Sequence, residues 1–591
     1  MPEHLPKASP RVFSALLGRR ALLSGLCGGA IATSLAKTGI AKTERVRTLA
    51  SQPHSPASGT LPDASRWPSW APTPETTRRK LAVLRHQAIS LRQFGATLDG
   101  KSDDTPAFVR ALAAGVHALL VDGPARVTGT ICVDRPLAIF GSGAGPHLVW
   151  DGMPRDAIFT VRRQDNDPAL FVHDVALAGL HAVRADGQAP GGMLVRAINV
   201  RGLTIADCRM MRMSLAYVSH ARMSAYDRTK GSETVDPAVL AGFSASDVND
   251  LNEDIAILGN EVDYGTYMGS IIRFNFARRV LVQGNKGRFA RISWWGGGAK
   301  RLQGGMPQFL RRVRDVYIAD NTISNVNGGI YGNNGQSIAV VRNMVSDTTD
   351  VGIDFEGCID CIATLNHCRN AGNFVYSAFY MARNVRFERN YGEQDGSAAD
   401  INDRLGSDPI GTPRGVCLAA LRGAGFANTP DVIDVTFADN TFVFSGHDGL
   451  GRCLSGAFNR LAFIGNTMRN VVCDISTRTG EAVILTGNRL NFDKSATNPV
   501  TMLAASAAKG QISDNIVTIE AAQPAGSVAI AYAFPGNGPT DIALTNNLVQ
   551  GAHPLPIAVA ASGARLSGNR GAPVRTGAIS GATVLIPKFS E

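Results

Sequence analysis

The 591 residues are 44% hydrophobic and only 18% charged, with 63 glycines and a net charge of +10. That is enough apolar material for a large core and excludes a highly charged disordered chain, while the glycine content suits short strands and tight corners. The basic balance points weakly to an anionic partner.

In chain order, Arg19 and Arg20 precede a weakly hydrophobic run from Ala21 to Ala36, broken by Gly25, Gly28 and Gly29 and followed by small residues. Residues 1–41 resemble a twin-arginine export signal. That resemblance implies passage of folded protein through the twin-arginine machinery to a bacterial periplasm or beyond; an ordinary secretory signal or an uncleaved anchor is the alternative. Leu26 before Cys27 is larger than lipid attachment normally needs. Residues 42–85 carry Pro53, Pro56, Pro62, Pro68, Pro72 and Pro74 and predict an extended linker. No later segment is long and apolar enough to span a membrane, so no stable membrane insertion is expected after signal removal.

Residues 94–114 read FGATLDGKSDDTPAFVRALAA. Asp103, Asp104 and Thr105 offer N-capping side chains and Pro106 suits the first helical position. Phe108, Val109 and Leu112 give the helix an apolar side. The string resembles the FGAxGDGxTDDTxAIxxAI opening of pectate-lyase-like β-helix proteins, with Leu98 standing where that pattern has glycine. A helix here would cover the open end of a coil, giving a cap at about 90–120.

From there an asparagine recurs at Asn260, Asn285, Asn321, Asn343, Asn366, Asn390, Asn440, Asn466, Asn488, Asn515, Asn547 and Asn569. Most steps are 22 to 27 residues, and the 50-residue step after Asn390 fits two turns. An apolar residue stands three positions before each, as in Ile318, Val340, Phe387, Phe437 and Phe463. Alternation of apolar and polar residues up to the asparagine predicts a half-buried strand. The asparagine itself, tolerant of left-handed backbone, predicts a turn whose amides stack as a ladder. The period predicts an all-β fold, a right-handed parallel β-helix solenoid over 86–590 with a short N-terminal capping helix. About 23 residues per turn and roughly 4.8 Å between turns make a rod on the order of 60 Å long.

The nine cysteines would suggest disulfides in an exported chain. Their register argues otherwise: Cys361, Cys368 and Cys453 fall on inward positions and Cys208 takes the asparagine place of an earlier turn, so buried core thiols are predicted. Cys358 with Cys361 could be half of a zinc site, but no second pair stands at ligand spacing and no metal is predicted. With the export signal and the repeats, the chain resembles the twin-arginine-translocated repeat proteins of the β-helix superfamily. That resemblance implies fold and compartment, periplasmic or secreted, and no agreed activity.

The most informative outward cluster pairs GGIYGNNG with VGIDFEG. Setting Ile330 over Ile353 puts Tyr331 over Asp354 and Asn333 over Glu356, with Tyr376 and Tyr380 on the next turn and Arg273 and Asn275 on a preceding one. Asp354 and Glu356 as acid and base or nucleophile would suit glycoside hydrolysis. Alternatively Arg273 with Tyr331 or Tyr376 would suit uronate lyase or epimerase chemistry, with Ca²⁺ held by the carboxylates as the one cofactor considered. An insertion after Asn285 carries Arg288, Arg291, Trp294, Trp295, Lys300 and Arg301 and suits stacking on, and charge pairing with, an acidic sugar chain. Long insertions from Tyr217 to Asn252, with His220, and after Asn390, with Glu393, Asp395 and Asp403, would wall the groove. His367 is read as a structural corner residue. Polygalacturonase signatures are missing. The expected function is an exported protein acting on acidic polysaccharide by hydrolysis, elimination or epimerisation, with a non-catalytic glycan-binding scaffold as alternative. No nucleic-acid partner is expected.

Overall fold

The computed structural model describes residues 61–576 apart from 144, 166, 168–169, 222–250, 267, 297–298, 301–307, 310–312, 380–381, 396–416, 423–431, 447–448, 456–457, 477–481, 534–539 and 561–562. Its strands form three long parallel sheets of 17, 16 and 15 strands, plus one antiparallel pair, Ala299–Lys300 with Gln308–Phe309. The chain visits them in rotation. Val313–Ala319 belongs to the first sheet, Thr322–Val326 to the second and Ile330–Asn333 to the third. Gly335–Val341 then returns to the first sheet directly above Val313–Ala319. The all-β parallel β-helix expected from the asparagine period is therefore the observed fold, and roughly sixteen turns at about 4.8 Å make a rod of about 75 Å.

The ladder forms, and its bonds explain why the residue must be asparagine. Asn366 is buried, its Nδ2 donating to Val340 O at 2.9 Å and to Asn390 Oδ1 at 3.0 Å. Its own Oδ1 accepts from the backbone N of Asn343 at 2.9 Å and from Asn343 Nδ2 at 3.0 Å. The same set recurs from Asn285 to Asn547, and the ladder closes on Asn569 at one end and on Asn260 at the other, whose Oδ1 accepts from Cys208 N. Two expectations are corrected. The left-handed residue is the one before each asparagine, such as Asp320 (φ 57), Arg342 (φ 53) and Leu365 (φ 58), so the asparagine is needed for its amide and not for its backbone freedom. The 50-residue step after Asn390 is one turn carrying an insertion, because Asn390 bonds directly to Asn440 and Ala382–Glu388 pairs with Val432–Ala438.

Inward residues stack turn upon turn. Phe387 and Phe437 lie face to face with centroids 4.7 Å apart, and Phe437 continues to Phe463 at 5.6 Å. The cysteines join this core: Cys208, Cys358, Cys361, Cys368, Cys453 and Cys473 are buried free thiols, with Cys132 free and half-buried. Burial pushes the thiols of Cys208 and Cys368 up to about 12.

Two α-helices stand between residues 61 and 114. Helix α1 (Pro74–His86), capped by Thr73, occupies part of the expected extended linker. It lies with Trp67, Trp70 and Ala71 on the outer face of the first sheet, in one apolar cluster with Ala138, Ala176, Ala256, Leu281 and Tyr317. Trp67 meets Tyr317 edge-on at 5.6 Å and Arg78 pairs with Asp207 through two hydrogen bonds. This strap explains an oddity of the outward column it covers, which is apolar from Ala118 to Ile362 save for Thr204 and turns to Arg386 and Thr436 on the next two turns. Helix α2 (Thr105–Ala113) is the expected end cap, with Phe108 fully buried against Phe159. Its buried face uses Ala107 and Ala111, while Val109 is exposed. Asp104 does not cap α2 with its side chain but accepts from Thr97 N and Leu98 N. Leu98 is left-handed (φ 54), which is why glycine would fit there. Residues 1–41 lie outside the described residues; among the described ones no helix is long and apolar enough to cross a membrane.

Candidate functional site

The predicted residues gather on the third sheet. One outward column runs Tyr217, Arg273, Ser293, Tyr331, Asp354 and Ser377, and its neighbour runs Asn275, Trp295, Asn333, Glu356 and Phe379. Tyr331 over Asp354 and Asn333 over Glu356 are thus the observed register, and Arg273 and Asn275 enter the same columns two turns earlier. Strand alternation does this: one residue in two faces out, and in-register parallel pairing superposes them.

Depth separates the members of these columns. Arg273 is exposed, its guanidinium 5.8 Å from the ring centroid of Tyr217. Arg291, half-buried, lies 5.9 Å from the ring of Tyr331. Trp295 is half-buried and flat on Phe276, centroids 5.7 Å apart and planes within 16°. Asn333 and Glu356 are half-buried neighbours. Asn275 is fully buried and donates from Nδ2 to the Tyr217 hydroxyl at 3.1 Å, so it holds the tyrosine in place. Asp354 is also fully buried, and its Oδ1 accepts from Ser377 Oγ at 3.0 Å. An outer apolar cluster of Val351, Phe374, Phe379 and Ala420, with Tyr331 against it, shares this face.

Two predicted site residues are corrected outright. Tyr376 sits over Ile353 in the inward column and is fully buried. Its hydroxyl reaches the carbonyls of Asn366 at 3.1 Å and Tyr391 at 2.8 Å, and burial holds the phenol well above its ordinary value. It can serve neither as base nor as stacking platform. Trp294 is not on an inserted loop but in strand Ala290–Trp295, facing inward against Phe274 and Phe355. Gly332 makes room for it, since a Cβ there would stand 2.5 Å from the indole.

Tyr380 lies outside the described residues, as do Tyr226, Asp227, Arg228, Asp403 and Arg404 of the long insertions. His220 is buried against Phe171 and Phe276. Glu393 and Asp395 engage Ser445 and Arg369 on the second sheet. His367 is exposed beside Tyr391 as an outward residue, but it opens strand His367–Ala371 and is not a corner residue. A calcium ion would ask for six to eight oxygen ligands. Asp354, sealed and engaged by Ser377, does not offer that set with Glu356, and no step is routed through a metal. Sequence reasoning took Tyr217 as the start of a long insertion, whereas it stands in strand Ser214–Ser219, whose alternation in SLAYVS marks it as outward.

No protein-family model matches the chain, and no curated protein matches it. Solved structures do. The chain is similar to the bacteriophage Phi29 gene product 12 N-terminal fragment, with 12% identity, 85% of this chain and 74% of that one covered, and a TM-score of 0.43. It is similar to the catalytic unit of a GH87 alpha-1,3-glucanase from Streptomyces thermodiastaticus, with 13% identity, 83% and 69% covered, and a TM-score of 0.29. The A-module of the Azotobacter vinelandii mannuronan C-5 epimerase AlgE6 gives 12% identity, 82% and 100% covered, and a TM-score of 0.26. At these identities and scores the likeness carries no argument about activity.

Proposed function

We propose that this chain binds an acidic polysaccharide laid along the outer face of its third sheet. The observation that carries the reading is the pair of cation-over-aromatic contacts, Arg273 on Tyr217 and Arg291 on Tyr331, on one outward face with Trp295 and Asn333 beside them. Aromatic planes offer stacking for sugar rings and guanidinium groups offer paired hydrogen bonds to carboxylates. Turn spacing of about 4.8 Å is close to the length of one sugar unit along a chain, so successive turns can address successive units. Export to the periplasm or beyond belongs to the same proposal, since such polymers are met outside the cytoplasm.

Bond cleavage is the second reading, favoured by Glu356 standing half-exposed beside Asn333. Burial of Asp354 weakens the two-carboxylate mechanism, because an acid that donates to a glycosidic oxygen must touch it. Incubation of the purified chain with a panel of polyuronates tests both readings. Saturable binding without new reducing ends or unsaturated uronate is expected. Absence of binding to every acidic polymer would overturn the proposal, and product formation that survives Glu356→Gln would sink the second reading.

A further inference from the structure

A cavity of about 500 Å³ lies far from the third sheet, between strap helix α1 and four successive turns of the first sheet. The outward column under the helix is small at Ala176, Thr204 and Ala256, and these residues line the cavity opposite Leu81 and Leu84. Its size is that of pockets for small molecules, about 300–1,000 Å³. The walls are apolar and the rim is charged. Lys80, Arg201 and Arg279 outnumber Asp174 and Asp254, with His173 beside them. Arg279 is taken by Asp254 and Glu253, and Arg201 lies 3.9 Å from Glu253 with its guanidinium over the Phe171 ring. Lys80 and His173, both exposed, make no ion pair among the described residues.

We propose that this cavity binds a small amphipathic anion, its apolar body against Leu81, Leu84 and Ala256 and its acidic group toward Lys80 and His173. Three basic side chains against two carboxylates favour an anion over a cation, and the mixed lining favours an amphipathic molecule over a bare ion. The site is on a different sheet from the glycan face, so it stands or falls independently of the proposed function. Because one wall is the strap and the other the coil, the bound molecule bridges them and holds the strap down.

The test is a fluorescence titration of the full chain with anilinonaphthalene sulfonate, an amphipathic anion, and with the uncharged analogue N-phenylnaphthylamine. One saturable site per chain is expected for the sulfonate, with the neutral dye weaker. Ala256→Trp, which fills the cavity, should abolish it. Lys80→Glu, at an exposed position on the rim, should weaken it about fivefold. The sulfonate should also slow tryptic cleavage of the strap. Unsaturable binding, equal affinity for both dyes, or binding unchanged in Lys80→Glu would overturn the assignment.

Discussion

Replacing Asn366 by alanine should cost far more than replacing Asn569, although both occupy the same place in the repeat. The Asn366 side chain makes four hydrogen bonds within the coil, two as donor and two as acceptor. Truncation leaves the Asn343 backbone N–H and the Val340 carbonyl facing a void, and removes one partner of Asn343 Nδ2, which keeps Ile318 O and Val341 O. At about 1–3 kcal/mol for each buried polar group left unsatisfied, the loss is about 3–5 kcal/mol. Asn569 is the last rung and half-exposed, so water can replace what Asn547 loses, and about 1 kcal/mol is expected. Equilibrium urea unfolding of both variants gives the comparison, and hydrogen exchange at the Asn343 amide reports the local effect. Equal losses in the two variants, or a loss within about 1 kcal/mol for Asn366→Ala, would refute the claim that the ladder is held by buried amides.

Tyr376→Phe should lower stability by about 1–2 kcal/mol through loss of its carbonyl contacts and leave glycan affinity unchanged, which calorimetry of the variant checks. Stability should fall at alkaline pH in reducing buffer. Burial raises the thiols of Cys208, Cys368, Cys361 and Cys473, so above the unfolded thiol range the unfolded chain releases protons that the folded chain retains. Stability is therefore full below about pH 8.5 and lost as pH rises, by about 1.4 kcal/mol per pH unit for each thiol, and Cys208→Ala should shallow that slope in unfolding curves. Trp67→Ala should release the strap, read as faster tryptic cleavage before Gln87 with the coil left intact. Arg19→Lys combined with Arg20→Lys should hold the chain in the cytoplasm on cell fractionation.

The asparagine period made the coil, its inward phenylalanines and its buried thiols legible, because each turn repeats one hydrogen-bonding set and one apolar slot. It failed where corners change length. The 36-residue step from Asn285 to Asn321 was read as an inserted loop carrying Trp294, when the residues before the insertion form strand Ala290–Trp295 and pairing turns Trp294 inward. Tyr376 was legible by another count. The offset that places Ile353 after Asn343 also places Tyr376 after Asn366, but counting back from Asn390 slips by one residue. The depth of Asp354 was not legible, because alternation says only that it points away from the core and the Ser377 that engages it comes from the next turn. The strap was hidden by its prolines, though Thr73 before Pro74 is an ordinary helix start.

The glycan face is tested most directly by calorimetric titration of a polyuronate, alongside its carboxyl-reduced neutral counterpart, into the wild-type chain and into Arg273→Gln combined with Arg291→Gln. Binding of the acidic polymer by the wild type, its loss in the double variant, and little affinity for the neutral polymer are the predicted results. Equal binding of both polymers, or full acidic binding without the two arginines, would contradict the assignment of the third sheet as the glycan surface.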